Sequence, residues 1–247
     1  PIQALRNQSH KQSSQGRIRK GLTIFQFALS FCFIIGLIVF TRQYRYNLSY
    51  DFGFQRENIV DIQLQGVKPE QFRNQFSQLA SVQNISMSSH IAGVSTSVEM
   101  TTSIESRDSF EVNEIFADHN YINVLKLQLI AGKNYPNELW QREKYILVNE
   151  EFLRQFKLGS PFDALGKFFK VGGKEVEIIG VLKNFNYTSL LRPIDAFMIR
   201  CDPKQFQLAN VSVNFMDTYG SLSEMENTWK ALEPEKKFEA RFFDDEL

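Results

Sequence analysis

The chain is poor in the residues that most often carry chemistry. It has two cysteines in 247 residues, Cys32 inside an apolar run and Cys201 far along a mostly polar stretch. A disulfide framework is thereby excluded, and the fold must rest on its hydrophobic core. Cys201 has no cation or redox partner near it in sequence, which leaves it a packing role. The three histidines, His10, His90 and His119, are scattered. None has an i+3, i+4 or cysteine companion at metal-binding spacing, so no metal site is expected, and His90 and His119 read as surface or turn residues. No GxxxxGK(S/T) loop occurs, which rules out ATP binding by a P-loop. The acidic cluster Asp244, Asp245 and Glu246 reads as solvated charge sooner than as a calcium site. Four N-x-S/T triplets, at Asn47, Asn84, Asn186 and Asn210, matter only in a eukaryotic secretory setting, to which nothing else points. No catalytic constellation appears, so the chain is expected to be neither an enzyme nor a cofactor binder.

Acid is missing from the first twenty residues, which hold Arg6, Lys11, Arg17, Arg19 and Lys20. Over the whole chain 28 Lys+Arg balance 28 Asp+Glu, so the remainder is mildly acidic and carries no polybasic signature for nucleic acid. Charge of either sign is also missing from Gly21–Thr41 (GLTIFQFALSFCFIIGLIVFT). As a helix that run spans ~31 Å, enough for a hydrocarbon core about 30 Å thick. A cleaved signal peptide would have a shorter apolar region and a small-x-small site after it, whereas TRQYRYNLSY follows here. The basic head against the fewer basic residues beyond the span, Arg42, Arg45 and Arg56, favours a cytoplasmic N-terminus. The first residue, Pro1, gives the expectation of an excerpt from a longer polypeptide.

Residues Arg42–Phe52 contain no Pro or Gly, and Gly53 suits a helix terminator. The expected helix runs from about Arg19 to Phe52 and projects beyond the hydrocarbon as a stalk. Tyr44, Tyr46 and Tyr50 suit an interfacial belt, or else cap the domain's core. Within the span, Thr23, Gln26 and Ser30 fall on one helical face and Gly36 adds a small surface. Such residues in lipid usually face other helices. The alternative is that Gln26 reaches the headgroups.

Beyond Gly53, strand-like and helix-like stretches alternate. Asn58–Leu64 alternates as a strand, and Pro69 opens a helix with Phe72, Phe76 and Leu79 on one face. Val82–His90, Val98–Ile104 and Phe110–Ala117 are strand candidates. A short helix Asn120–Leu125 and a strand Leu127–Ile130 follow, closed by Gly132. Tyr145–Val148 leads to Asn149, the predicted cap of a helix with Phe152, Leu153 and Phe156 buried and Gly159 at its end. Lys167–Val171 and Lys174–Leu182 flank the hairpin signal Gly172-Gly173, and Gly180 suggests a bulge or a close backbone approach. Ala196–Arg200 and Ala209–Phe215 are strands. Ser221-x-x-Glu224 reads as a capping box opening a helix with Leu222, Met225, Trp229 and Leu232 on one face, and Phe238–Phe243 is a last strand. The fold class is α+β: one N-terminal transmembrane helix extended into a periplasmic stalk, then a mixed βα extracytoplasmic domain of one or two subdomains. The boundaries are 1–20 cytoplasmic, 21–41 transmembrane, 42–52 stalk and 53–247 domain.

Two stretches carry a resemblance. In the first, Arg19-Lys20, Gln26-Phe27, Ser30, Gln43, Gly53-Phe54 and Asn58 match the start of the second half of FtsX-like permeases with a MacB-like periplasmic core domain. These are membrane subunits of ABC transporters, and the likeness is to the large versions of Bacteroidetes-type bacteria. In the second, Asn149, Leu158-Gly159, Gly166-Lys167, Ile179-Gly180-Val181 and Asn184-Phe185 resemble the core domain's other signature. Phe238–Leu247 resembles the segment entering a next span. A second proline usual after the Pro193 region is replaced by IDAFMI, and Ser86–Phe110 aligns with nothing, as a variable, partner-facing part would. The resemblance implies that Gly53, Asn149, Gly159, Gly166, Gly180, Asn184 and Phe185 are structural signature positions. It implies a bacterial inner-membrane location with the main domain periplasmic, a separate cytoplasmic ABC ATPase, further spans of the same permease and room for a periplasmic partner. The role implied is mechanical: ATPase motion is coupled to the outer domain for export or extraction of a lipid, lipoprotein, peptide or drug. A division-type regulator of cell-wall hydrolases and the sensor module of a signalling receptor are the alternatives.

Overall fold

A computed structural model describes residues 2–49, 51–136, 143–188, 192–214 and 218–246. Pro1, Tyr50, Phe215 and Leu247, named above, lie outside them. The chain divides into two units, Pro1–Asp51 and Phe52–Leu247.

The first unit is one helix, α1, Ile2–Ser49. Its stretch Ile18–Arg45 is long and apolar enough to cross a membrane, and none of that window is buried. Apolar side chains occupy the whole circumference there, as expected of a helix whose solvent is lipid. The helix begins earlier than Arg19, because the head is built largely of good helix formers such as Ala4, Leu5, Lys11 and Gln15. It stops at Ser49 instead of Phe52, because Phe52 is buried in the second unit and core burial outweighs one more helical turn.

In the second unit β1 is Ile59–Gln63, α2 Pro69–Phe76, β2 Val82–Ser88, β3 Ser97–Ser103, β4 Ser109–Phe116, α3 Tyr121–Val124 and β5 Leu129–Gly132. There follow β6 Tyr145–Asn149, α4 Glu150–Gln155, α5 Pro161–Ala164, β7 Phe168–Val171, β8 Lys174–Leu182 and β9 Phe197–Arg200. The chain closes with β10 Leu208–Val213, α6 Thr218–Leu232, β11 Ala240–Phe242 and α7 Phe243–Glu246.

Two sheets result. The smaller runs β11-β1-β10-β2 and is antiparallel throughout. Against it pack α2 and α6, whose Phe72 and Phe76 rings stack with centroids 3.9 Å apart beside the buried Trp229. The larger sheet closes on itself. Going round, β8 pairs with β6, β6 with β9, β9 with β4, β4 with β3, β3 with β7, and β7 returns to β8. This six-stranded barrel leaves no open edge among its members. Its interior holds Val112, Ile146, Val148, Phe169, Val171, Val176, Ile178 and Met198, with Phe152 of α4 and Phe156 just after it packed into it. Both rings meet Phe169 edge-on, with centroids 5.1 and 5.0 Å away.

Several local expectations change. Gly159 does not end α4, which stops at Gln155; it turns the chain at φ +86 just before α5. The capping box is at Ser160 and Asp163, opening α5, and not at Ser221. Ser221 lies inside α6, near-buried, because α6 starts at Thr218. The last strand is only Ala240–Phe242, and Phe243 begins α7.

The glycine in β8 is both a bulge and a close approach. Pairing with β6 steps from Ile178, opposite Ile146, to Gly180, opposite Leu147, so Ile179 is the extra residue. On the other edge Gly132 of β5 faces Gly180. A Cβ on Gly132 would lie 2.2 Å from the Ile179 carbonyl oxygen and 2.9 Å from Gly180 Cα, and Gly132 has φ +78. Gly132→Ala is therefore expected to cost about 3 kcal/mol through backbone displacement and a strained dihedral. Urea unfolding of the variant measures it, and a loss under about 0.5 kcal/mol would show that β5 and β8 are not so closely apposed.

Candidate functional site at the root of the domain

The residues that lead the chain into the second unit are Phe52, Gly53 and Phe54. Gly53 turns the backbone at φ +80, where a Cβ would sit 3.0 Å from Phe185 Cβ. That contact lets the inbound backbone lie directly on the loop that leaves β8. The Asn186 N–H donates to the Phe52 carbonyl at 2.8 Å, and the Gln55 N–H to the Leu125 carbonyl at 2.7 Å. Phe54 is the hub of an aromatic row. Its ring lies 5.7 Å from Phe52, 6.2 Å from Phe185 and 5.7 Å from Phe243, the last two edge-on. The row continues from Phe185 to Phe197 at 5.3 Å, and Phe197 stacks on Tyr187 at 4.3 Å. The Arg56 guanidinium lies over the Phe52 ring, 5.1 Å from its centroid.

Two asparagines hold this row against the barrel. Asn149, fully buried, caps α4: its Oδ1 accepts from the Phe152 N–H at 3.0 Å and from the Phe197 N–H at 2.9 Å, while Nδ2 donates to the Asp195 carbonyl at 2.9 Å. One side chain thus pairs three backbone groups that burial would otherwise strand. Asn184 is engaged from the same end of α4. Its N–H donates to Glu150 Oε2 at 2.8 Å, and its Oδ1 accepts from the Glu151 N–H at 3.3 Å.

Of the signature positions, the structure gathers Gly53, Asn149, Asn184 and Phe185 at this root. Gly159, Gly166 and Gly180 lie away from it. Gly166 donates its N–H to the Ile178 carbonyl at 2.9 Å, and Gly180 is the bulge described above. On α1, Thr23, Gln26, Ser30 and Gly36 are all exposed. The Thr23 hydroxyl donates to the Arg19 carbonyl at 3.0 Å and Ser30 to the Gln26 carbonyl at 2.9 Å. Those hydroxyls are satisfied within their own helix, which leaves Gln26 and Gly36 to carry the expectation of a helix partner.

Sequence reasoning missed the partners of Phe54 and a set of buried charges. Arg200 of β9 donates to Glu114 of β4 at 2.6 Å and pairs with Glu143, which also takes Lys174. Burial pushes the Glu114 carboxyl above its ordinary range, opposed by Arg200. Arg73 of α2 pairs with the buried Asp118 at 2.5 Å, bridging the small sheet to the end of β4. A charged residue inside an apolar strand reading, FMIR, was the available signal for Arg200. Chemistry is scarce at these places. Burial first, then nearby carboxylates, pushes the Cys201 thiol up to about 12, which leaves it protonated and inert. Among the described residues no group of three or more His, Cys, Asp or Glu could hold a metal ion. The root offers packing and hydrogen bonds.

Removing the Asn149 amide strands the Phe197 N–H and the Asp195 carbonyl and deletes a helix cap. Asn149→Ala is expected to destabilise the domain by about 3 kcal/mol, a fall of roughly 6–12 °C in Tm for a domain of this size. A thermal melt of the variant checks it; an unchanged Tm would remove Asn149 from the account.

Comparison with known proteins agrees with this architecture. A family model described as MacB-like periplasmic core domain matches residues 21–229. No curated protein matches the chain. Among solved structures, the periplasmic region of MacB from Actinobacillus actinomycetemcomitans superposes with a TM-score of 0.57 at 13% identity, covering 78% of this chain and 92% of that one. The extracellular domain of the noncanonic ABC-type transporter YknZ from Gram-positive bacteria gives 0.53 at 15%, covering 74% and 100%. A domain of a proposed permease protein from Porphyromonas gingivalis gives 0.52 at 17%, covering 76% and 92%. At such identities the structures speak for the fold alone, and the family match supplies the kinship. With a membrane-length apolar helix leading to this α+β domain, the chain belongs to the MacB-like periplasmic core domain family.

Proposed function

We propose that this chain is the part of an ABC-type permease that carries motion from a separate cytoplasmic ATPase to an extracytoplasmic domain, for export or extraction of a lipid, lipoprotein, peptide or drug. It sits in the bacterial inner membrane with residues 1–20 cytoplasmic, 21–41 in the bilayer, 42–52 as a helical stalk and 53–247 in the periplasm. The remaining spans of the permease pack on α1 at the face bearing Gln26 and at the small surface of Gly36. No catalysis is assigned to this chain; the ATPase supplies the free energy. The observation that carries the reading is α1, an unbroken helix from Ile2 to Ser49 in a chain whose next unit is a MacB-like core domain. A helix satisfies its backbone hydrogen bonds internally in lipid and in water alike, so it transmits force across both without melting. The segment Ser86–Phe110 exposes Val94, Val98, Met100 and Ile104, which supports its reading as the face turned to a periplasmic partner. A regulator of cell-wall hydrolases would share this architecture and differ in what that partner is.

Two measurements test the proposal. Inserting Gly-Gly after Asn47 in the whole permease softens the stalk; ATP hydrolysis is expected to continue while export falls by about tenfold or more, with the domain still folded. Undiminished export would count against the stalk as a lever. A cysteine at the exposed Ser106, with Cys32 replaced by serine, is expected to react with a membrane-impermeant maleimide in intact spheroplasts. Labelling only after lysis would place the domain in the cytoplasm and end the reading.

A further inference from the structure

The first and last segments of the second unit meet. Phe54 follows closely on the start of the unit, and Phe243 opens α7 near the other end of the sequence; their rings meet edge-on at 5.7 Å. Phe243 is fully buried. The strands that flank these residues are also joined. Val60 of β1 stands opposite Phe242 of β11, and Ile62 opposite Ala240. The outbound strand is held weakly by its backbone alone, since β11 has three residues and, among the described residues, β1 is its one sheet neighbour. A short edge strand pulled from its end peels one hydrogen bond at a time. An aromatic ring lodged behind it must instead be withdrawn whole, into water. Phe54 also touches Phe185 at 6.2 Å, and the loop bearing Phe185 is bound through Asn184 to α4. One ring therefore contacts the inbound segment, the outbound segment and the loop fixed to the barrel.

We infer that Phe54 fastens the inbound end of the domain to its outbound end, as a node that stays closed while the permease works. The domain then moves as one body, and it does not open between the two points where the chain reaches and leaves it. This rests on the proposed function only for what drives the motion; the node itself is a property of the domain.

The test uses the whole permease with its ATPase, in membranes, with Cys32→Ser and Cys201→Ala. The Gln63 N–H donates to the Glu239 carbonyl, so in the alternating antiparallel ladder Val60 and Phe242 form a non-hydrogen-bonded pair, with Cα atoms about 4.5 Å apart and side chains adjacent. Val60→Cys with Phe242→Cys is therefore expected to oxidise to a disulfide. ATP-driven export is expected to be equal in the oxidised and reduced forms. Loss of export on oxidation, restored by reductant, would show that the node must open and would overturn the inference. Phe54→Ala is expected to raise hydrogen exchange at the β11 amides about tenfold, to lower export at unchanged ATP hydrolysis, and to regain export when the disulfide is formed. Unaltered exchange at β11 in Phe54→Ala would also overturn it, and this measurement stands without the cysteine pair. Exchange and disulfide formation need no transport assay. If they behave as expected while the parent protein exports nothing, the node stands and the proposed function is what fails.

Discussion

Aromatic burial at the junction of two solvents is the constraint on which this architecture depends. A helix made for lipid has no core of its own, and none of the apolar window of α1 is buried. The chain must pass within a few residues from that regime to one where apolar side chains are enclosed by protein. Phe52 and Phe54 make the change, and they do so against rings from a distant loop, Phe185, and from the end of the domain, Phe243. Edge-on aromatic contacts are directional as well as apolar, so they fix the direction of the inbound backbone in addition to burying it. Gly53 permits the arrangement, since any side chain there would meet Phe185.

Behind the root, the barrel supplies stiffness. A closed ring of strands has no edge from which to unzip, and α4 is tied to it by the Asn149 amide and by Phe152 packed against Phe169. Asn149 acts at once as helix cap and as splint between β6 and β9. The loop at Asn184 is joined to the barrel through hydrogen bonds to α4 and through packed rings. The buried Arg200–Glu114–Glu143 cluster adds a polar joint between β9, β4 and the approach to β6. Such pairs add little to net stability when compared with apolar packing, but breaking one is expensive. They serve to specify which strands lie side by side.

Burial holds the Cys201 thiol protonated and inert. The first unit is a long helix, and the second has a tightly held root and a closed barrel.

Much of this was legible locally. The apolar run gave α1, because hydropathy over a membrane's thickness needs no knowledge of partners. Asn149 announced itself as a cap, Gly172-Gly173 as a tight turn and Gly180 as a bulge, since each is a short-range demand of the backbone on its own residues. The two capping-box patterns show where such reasoning stops. Ser221-x-x-Glu224 fits the motif, yet α6 runs through it, because the helix that brings Trp229 to Phe72 starts a turn earlier. Asp163 completes the box that does form, at Ser160. Only the tertiary structure decided that β7 closes a barrel with β3, that Arg200 finds Glu114, and that Phe54 meets Phe243. Those pairings join residues far apart in the chain, and periodicity records which face of a strand is apolar without naming the strand or ring that will cover it.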